Sequence, residues 1–289
     1  PRLGDHPRFD FRPVREVDAT NDRDKFIFTS ECPEGAWPVF SGSSFNIWRP
    51  DTGERYAWTM ADIIQEHLFE KRKSQARNKS SAFFGLEEGV LNDPRTLACL
   101  HPRVIFRTIA RSTDSRTCIA ALIPPRVIPQ HGGQYLLRNP KNTVADEAFV
   151  LGLLSSRILD WWARRHVETT LTFSIFNSFP APNIRTSHPG FEVVSRTAAR
   201  LAAVDSRFSD WADGVGVEWG ELGPEARFDS ITLLDAAVAR LMGLSAGHVR
   251  HVYETFHSGW KTEEREPYTE AVLAHLASFD WDPAPVGQE

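Results

Sequence analysis

Long apolar runs are missing from this 289-residue sequence. None approaches the roughly 18–20 residues that a membrane-crossing helix needs, so a helical spanning protein is excluded and no membrane partner is expected. Cysteine is scarce. Cys32, Cys99 and Cys118 stand far apart, odd in number and without CxxC spacing. That argues against a disulfide framework or a structural zinc site and fits reduced thiols in a cytoplasmic protein. There is no GxxxxGK[ST] loop to cradle phosphate, no GxSxG nucleophile turn and no HExxH pair. His248 and His251 lie three apart, but no acidic ligand is arranged with them. The Asp, then Glu-x-Lys, pattern of a metal nuclease has one loose counterpart, Asp51 with Glu70-Lys71-Arg72. Also missing are the glycine-rich turn and the Asn/Asp-Pro-Pro-aromatic segment that hold S-adenosylmethionine and a flipped base. Phe84-Gly85-Leu86-Glu87-Glu88-Gly89, Asp93-Pro94-Arg95 and Asn139-Pro140-Lys141 come nearest and read as ordinary turns. These absences predict that the chain by itself carries no catalytic residue, cofactor or metal. It begins Pro1-Arg2-Leu3, with neither initiator Met nor signal-peptide pattern, and is expected to be part of a longer polypeptide.

What is present is an ordinary globular composition, 41% apolar and 25% charged, with the charge unevenly spread. Residues 200–289 carry 7 Lys+Arg against 16 Asp+Glu, a net of −9. The other 199 residues carry 26 against 22, a net of +4 that the formal total of −5 conceals. Between Arg103 and Arg138 there are six arginines and one acid, Asp114. A second basic cluster is Lys71-Arg72-Lys73, continued by Arg77 and Lys79. Local fields of this kind steer a polyanion to a surface whatever the total charge.

Along the chain, residues 1–34 are polar with little periodicity and read as an extended linker. Trp37–Phe40 and Phe45–Trp48, separated by a Ser41–Ser44 turn, read as a hairpin. Thr59 and Asp62 have capping-box spacing, and a helix is expected from about 60 to 73. Residues 103–110 and 116–123 form a second hairpin about the turn 111–115, with Arg103, Arg107 and Arg111 on one side by period two. Gln134–Leu137 adds a strand. Thr143 and Asp146 cap a buried helix ending near 166, and the β-branched run 169–176 reads as a strand before Phe179-Pro180-Ala181-Pro182. Helices follow: Phe191 to Leu201, another capped by Asp229 with Gly243 as its C-cap, and a third capped by Ser245. The expected fold is α+β: a mixed β-sheet recognition domain with hairpins and a buried helix over 35–185, an acidic all-helical segment over 186–282, and a loose tail over 283–289.

Reading DNA takes cations for phosphate and Arg, Ser or Thr tips that reach base edges. The hairpin tip offers Arg107, Arg111, Ser112, Thr113, Ser115, Arg116 and Thr117 within eleven residues. Lys71, Arg72, Lys73, Arg77 and Lys79 would add phosphate contacts. Trp161-Trp162 could stack on bases or belong to the core, and Arg164-Arg165 could touch phosphate or cap their helix.

Arg103–Arg107 through Ala120-Ala121-Leu122-Ile123-Pro124, then Phe149–Arg157 and Phe179–Pro182, together resemble the C-terminal specificity region of large adenine-specific DNA methyltransferases. Such enzymes occur in type IIG-like, single-chain type I-like and phage-exclusion restriction systems. Ser155 stands where that family commonly has Asn. The segment Leu234–Ser245, closing with Glu254-Thr255-Phe256, is similar to the family's C-terminal ending, with Met242 at the usual Tyr. The resemblance covers roughly residues 35–260. It implies a target recognition domain that binds double-stranded DNA. It also implies an N-terminal methyltransferase domain as partner, carrying the S-adenosylmethionine and methylating adenine N6. A protein-interaction module of a phage-defence complex, and a metal-dependent nuclease using Asp51 and Glu70, are the alternatives.

Overall fold

The computed structural model describes residues 1–284. The fold is α+β, as expected, with helices dominating the C-terminal part. The chain divides into two interleaved compact units. One comprises Phe11–Thr108 and Ala121–Asn139. The other comprises Pro1–Asp10, Ile109–Ala120 and everything described from Pro140 onward. The sequence boundary at 185/186 falls inside the second unit.

The first unit holds the strands. They are β1 (Phe11–Val14), β2 (Ala36–Phe40), β3 (Ala57–Met60), β4 (Arg103–Arg107), β5 (Ala120–Ile123), β6 (Ile128–Pro129) and β7 (Gly133–Arg138), with helices α1 (Ala61–Gln75) and α2 (Glu88–Asn92). One sheet runs β1-β7-β4-β5 and the other β3-β2-β6. β1 and β4 pair with β7 antiparallel, while β2 pairs with β3 antiparallel and with β6 parallel. Val17, Phe26, Val39, Ile64, Leu68, Cys99 and Ile128 form an apolar core. Beside it lies a buried ion pair: Arg103 donates to Glu16 at 2.5 Å and to the Val127 carbonyl at 2.7 Å, and both charged side chains are 3% exposed. Arg103 is therefore turned inward, because Glu16 compensates it there. The one-sided row of arginines expected from period two does not form.

The second unit is helical: α3 (Val144–Ser155), α4 (Arg157–Ala163), α5 (Phe173–Asn177), α6 (Pro189–Ala202), α7 (Ser209–Asp213), α8 (Pro224–Leu241), α9 (Ala246–Glu254) and α10 (Thr262–Ser278). Thr143 and Asp146 make the expected capping box of α3. The buried helix breaks at Ser156, whose side chain caps α4 by accepting from Leu159 N. Gly152 explains how α3 packs: a Cβ there would stand 2.8 Å from Val194 Cγ1 of α6 and 3.2 Å from Leu234 Cδ1 of α8. Gly243 (φ +70°) ends α8 in a Schellman arrangement, with Leu244 N on Ala239 O and Gly243 N on Arg240 O.

Other expectations need correction. β2 pairs with β3, not with Phe45–Trp48, which forms a turn. Thr59 does not cap α1; the N-cap is Met60, with no side-chain bond. The run 169–176 is not a strand: Thr172 caps α5 by accepting from Ile175 N, and that local bond outweighs β-propensity. Asp229 lies inside α8, whose N-cap is Gly223 followed by Pro224. β1 lies within the stretch expected to be an extended linker, and α10 falls in the expected helical segment. Of the tail expected to be loose, Ala284 is buried and its N–H donates to Leu241 O, while 285–289 lie outside the described residues.

Candidate nucleic-acid interface

The polar tip between β4 and β5 is longer than a hairpin turn, and residues 109–120 belong to the helical unit. Its backbone is fixed from below by charged groups on α4. Asp160, fully buried, accepts from Thr117 N at 2.9 Å, Cys118 N at 2.7 Å and Arg116 Nε at 2.7 Å. Arg116 also donates to the Ser155 carbonyl at 2.7 Å. The next cation on the helix, Arg164 just past α4, donates to the carbonyls of Ser112 at 2.6 Å and of Asp114. His257 meets the Thr113 carbonyl at 2.8 Å, and Ala110 N donates to Thr169 O at 3.2 Å. Within the loop, Asp114 accepts from Arg111 N at 3.2 Å, and Thr117 Oγ1 donates to Arg111 O at 3.0 Å.

Burial and the Asp160 carboxylate push the Cys118 thiol well up, so it stays protonated and inert. Desolvation lowers the Arg164 guanidinium from its usual value, against the opposing pull of Asp160. With carbonyls 112–114 all occupied from beneath, the side chains of Arg111, Ser112, Thr113 and Ser115 are exposed. The Arg111 side chain has no ion-pair or hydrogen-bond partner among the described residues. Beside them Ile109 is 68% exposed.

The other expected contact residues divide. Arg107 donates to the Phe45 carbonyl and lies 5.6 Å from the Phe45 ring centroid. Arg116 is held by Asp160, and Thr117 is fully buried. Arg116 and Thr117 thus build the loop's support, and Arg107 holds the segment at Phe45. In the α1 cluster, Lys71 donates to the carbonyls of Arg15 at 3.0 Å and Glu16 at 2.8 Å, and burial lowers its ammonium from its ordinary value. Arg72 is 3% exposed and bonds Thr96 Oγ1 and the Asp93 carbonyl, each at 2.9 Å. Lys73 pairs with Glu70 at 3.4 Å. Arg77 and Lys79 are exposed in the turn after α1. Arg and Lys in a run cannot be sorted into braces and free tips without their partners. Asp160 and Arg164 were legible only as an i,i+4 pair on a helix.

Trp161 and Trp162 are half-buried and line an apolar groove of about 270 Å³ with Ile158, Leu159, Met242 and Val252. Arg165 lies 3.3 Å from the Trp161 ring centroid, and His166 stacks on Trp162 at 3.8 Å. Each indole is thus already covered by a cation or a ring. Among the described residues no group of three or more His, Cys, Asp or Glu could hold a metal ion. Asp51 accepts from Gly53 N at 2.7 Å, and Glu70 faces Lys73 at 3.4 Å. Gly85 and Gly89 border open space, and the Asp93 carboxylate is held by Arg95 at 2.9 Å.

No protein-family model and no curated protein matches this sequence. Among solved structures, the chain is similar to the type IIL restriction-modification enzyme MmeI, solved in complex with DNA. Identity is 15% and the TM-score 0.42, over 93% of this chain and 36% of that one. It is also similar to the type IIG restriction endonuclease BpuSI, with 13% identity and a TM-score of 0.41, over 96% of this chain and 31% of that one. The chain thus spans about a third of the length of either.

Proposed function

We propose that this chain reads the sequence of double-stranded DNA, as the specificity part of a longer restriction-modification or phage-defence polypeptide. The observation that carries this reading is the loop 109–117. Three successive carbonyls are tied down by Arg164 and His257, while Arg111, Ser112, Thr113 and Ser115 point to solvent. A rigid backbone with unspent donors at its tip is what base-edge readout requires. Arg can pair bidentately with guanine O6 and N7, and Ser or Thr can serve base or phosphate. The alternative use of such residues, internal bracing, is already taken by Arg103 and Arg116 on carboxylates and by Arg107 and Arg72 on carbonyl and hydroxyl groups.

The exposed cations Arg77 and Lys79, with Lys73, supply phosphate contacts and hence the salt-sensitive part of affinity. The acidic helical segment braces the loop from beneath through His257 and takes no phosphate contact. The partner domain of the parent chain would carry S-adenosylmethionine and methylate adenine N6; this chain's residues take no part in that chemistry. Electrophoretic retention of duplex DNA across a salt series tests the reading. Retention that weakens steeply with salt is expected. Arg111→Ala should cost about 1–3 kcal/mol on the preferred sequence, with Arg116→Ala acting through stability instead. Absence of salt-dependent retention would leave the protein-interaction module as the better account.

A further inference from the structure

Among the described residues, two non-glycine residues adopt a left-handed backbone, Trp48 (φ +56°) and Arg126 (φ +63°). Trp48 is the less ordinary, because left-handed positions favour Gly, Asn or Asp and disfavour a bulky ring. It sits in a two-residue turn. Asn46 N donates to Arg49 O at 2.8 Å and Arg49 N returns to Asn46 O at 2.9 Å. The indole is only 5% exposed, and this burial is what holds the backbone in its unfavoured region. The neighbours on either side, Asn46 and Arg49, are exposed.

The segment leading into the turn is equally fixed. Phe45 is fully buried, its carbonyl accepts from Arg107, and Gly133 gives its ring room, a Cβ there falling 3.2 Å from Phe45 Cε1. Thr52 closes the loop, with its N on Ser44 O at 2.9 Å and its Oγ1 on Ser43 O at 2.8 Å. The sheet topology explains why these parts meet. β6 runs parallel to β2, so the residues after Phe40 and those after Pro129 emerge at one end, and the Arg107↔Gly133 register brings the end of β4 there too. Ser43 is also exposed at this end. Arg126 precedes β6 and lies at the opposite end.

We infer that the Asn46–Arg49 turn is a second base-reading tip for double-stranded DNA, with Asn46 and Arg49 as its specificity residues. This rests on the DNA-reading role proposed above and assigns it to residues of the strand-bearing unit. The chemistry fits a major groove. Asn offers a carbonyl and an amide for adenine N6 and N7, and Arg offers a fork for guanine. Asn46 Oδ1 already accepts from Ile47 N at 2.8 Å, which fixes which way the amide faces and leaves Nδ2 and the second lone pair for a base. Arg49 has no side-chain partner among the described residues.

The test is selection from a randomised duplex pool, followed by sequencing, with the unaltered protein, Asn46→Ala, Arg49→Ala, Arg49→Lys and Arg126→Ala. Asn46→Ala and Arg49→Ala should each flatten the preference at one base pair, by about tenfold or more, while retention of unselected duplex changes little. Arg49→Lys should not restore the preference, because an ammonium cannot reproduce the fork. Arg126→Ala should select as the unaltered protein does. Unchanged selection by Asn46→Ala and Arg49→Ala, or full restoration by Arg49→Lys, would overturn this inference while leaving DNA reading intact. Failure of the unaltered protein to select any sequence would overturn the reading on which it rests.

Discussion

At the residue scale the account turns on Asp160. One buried carboxylate accepts two backbone N–H groups and one guanidinium from the loop it supports. Removing it leaves those donors and the Arg116 charge without compensation, a loss on the order of 3–5 kcal/mol for a buried ion pair. Asp160→Ala should therefore lower the unfolding free energy measured in urea by that amount, with a lower midpoint, and speed trypsin cleavage after Arg111. An unchanged midpoint would show that the loop does not depend on this support. The same logic explains what the sequence made legible here. Arg107, Arg111 and Arg116 look alike in a string of residues. Only the position of a carboxylate or a free carbonyl decides which guanidinium is spent internally, and those acceptors lie 44 residues from Arg116 (Asp160) and 62 from Arg107 (Phe45) in sequence. The Arg111 side chain has no such acceptor and stays exposed.

At the scale of elements, local chemistry was legible and pairing was not. The capping box at Thr143, the Schellman ending at Gly243 and the cap at Ser245 are set by residues three to five apart, and all three form. The partner of β2 lies across a long loop, and a strand's partner cannot be inferred from its own alternation, so Phe45–Trp48 was read as the returning strand. The run 169–176 misled for a related reason: three threonines suit a strand equally well as they suit a cap. Helix packing offers a direct check. Gly152 lets α3 approach both α6 and α8. Gly152→Ala would gain up to about 1 kcal/mol of helix propensity, but the added methyl has to displace Val194. The net expectation is destabilisation of roughly 1–3 kcal/mol, read from chemical denaturation. A stabilised variant would mean that α6 can move away freely.

At the scale of the whole molecule, a formal charge of −5 looks unsuited to DNA. On the proposed DNA-reading role, the cations that matter are those left exposed on particular loops. Arg111 stands on the loop braced by α4, Arg77 and Lys79 follow α1, and Arg49 stands beside the strained Trp48. The acids concentrate in the C-terminal helices. Electrostatic attraction is then local, and DNA affinity should fall steeply with salt despite the negative total. What the sequence could show was the imbalance between segments; how the chain folds into two interleaved units was hidden, because each is assembled from stretches far apart.

The most direct measurement is photo-cross-linking. Thr113 is replaced by a benzophenone-bearing residue, and the chain is irradiated with duplex DNA and mapped by mass spectrometry. A second chain carries the same group at the exposed position of Glu266 on α10. The account predicts a protein–DNA adduct from position 113, competed by salt, and none from position 266. Retention of duplex by both chains without any adduct at position 113 would contradict it.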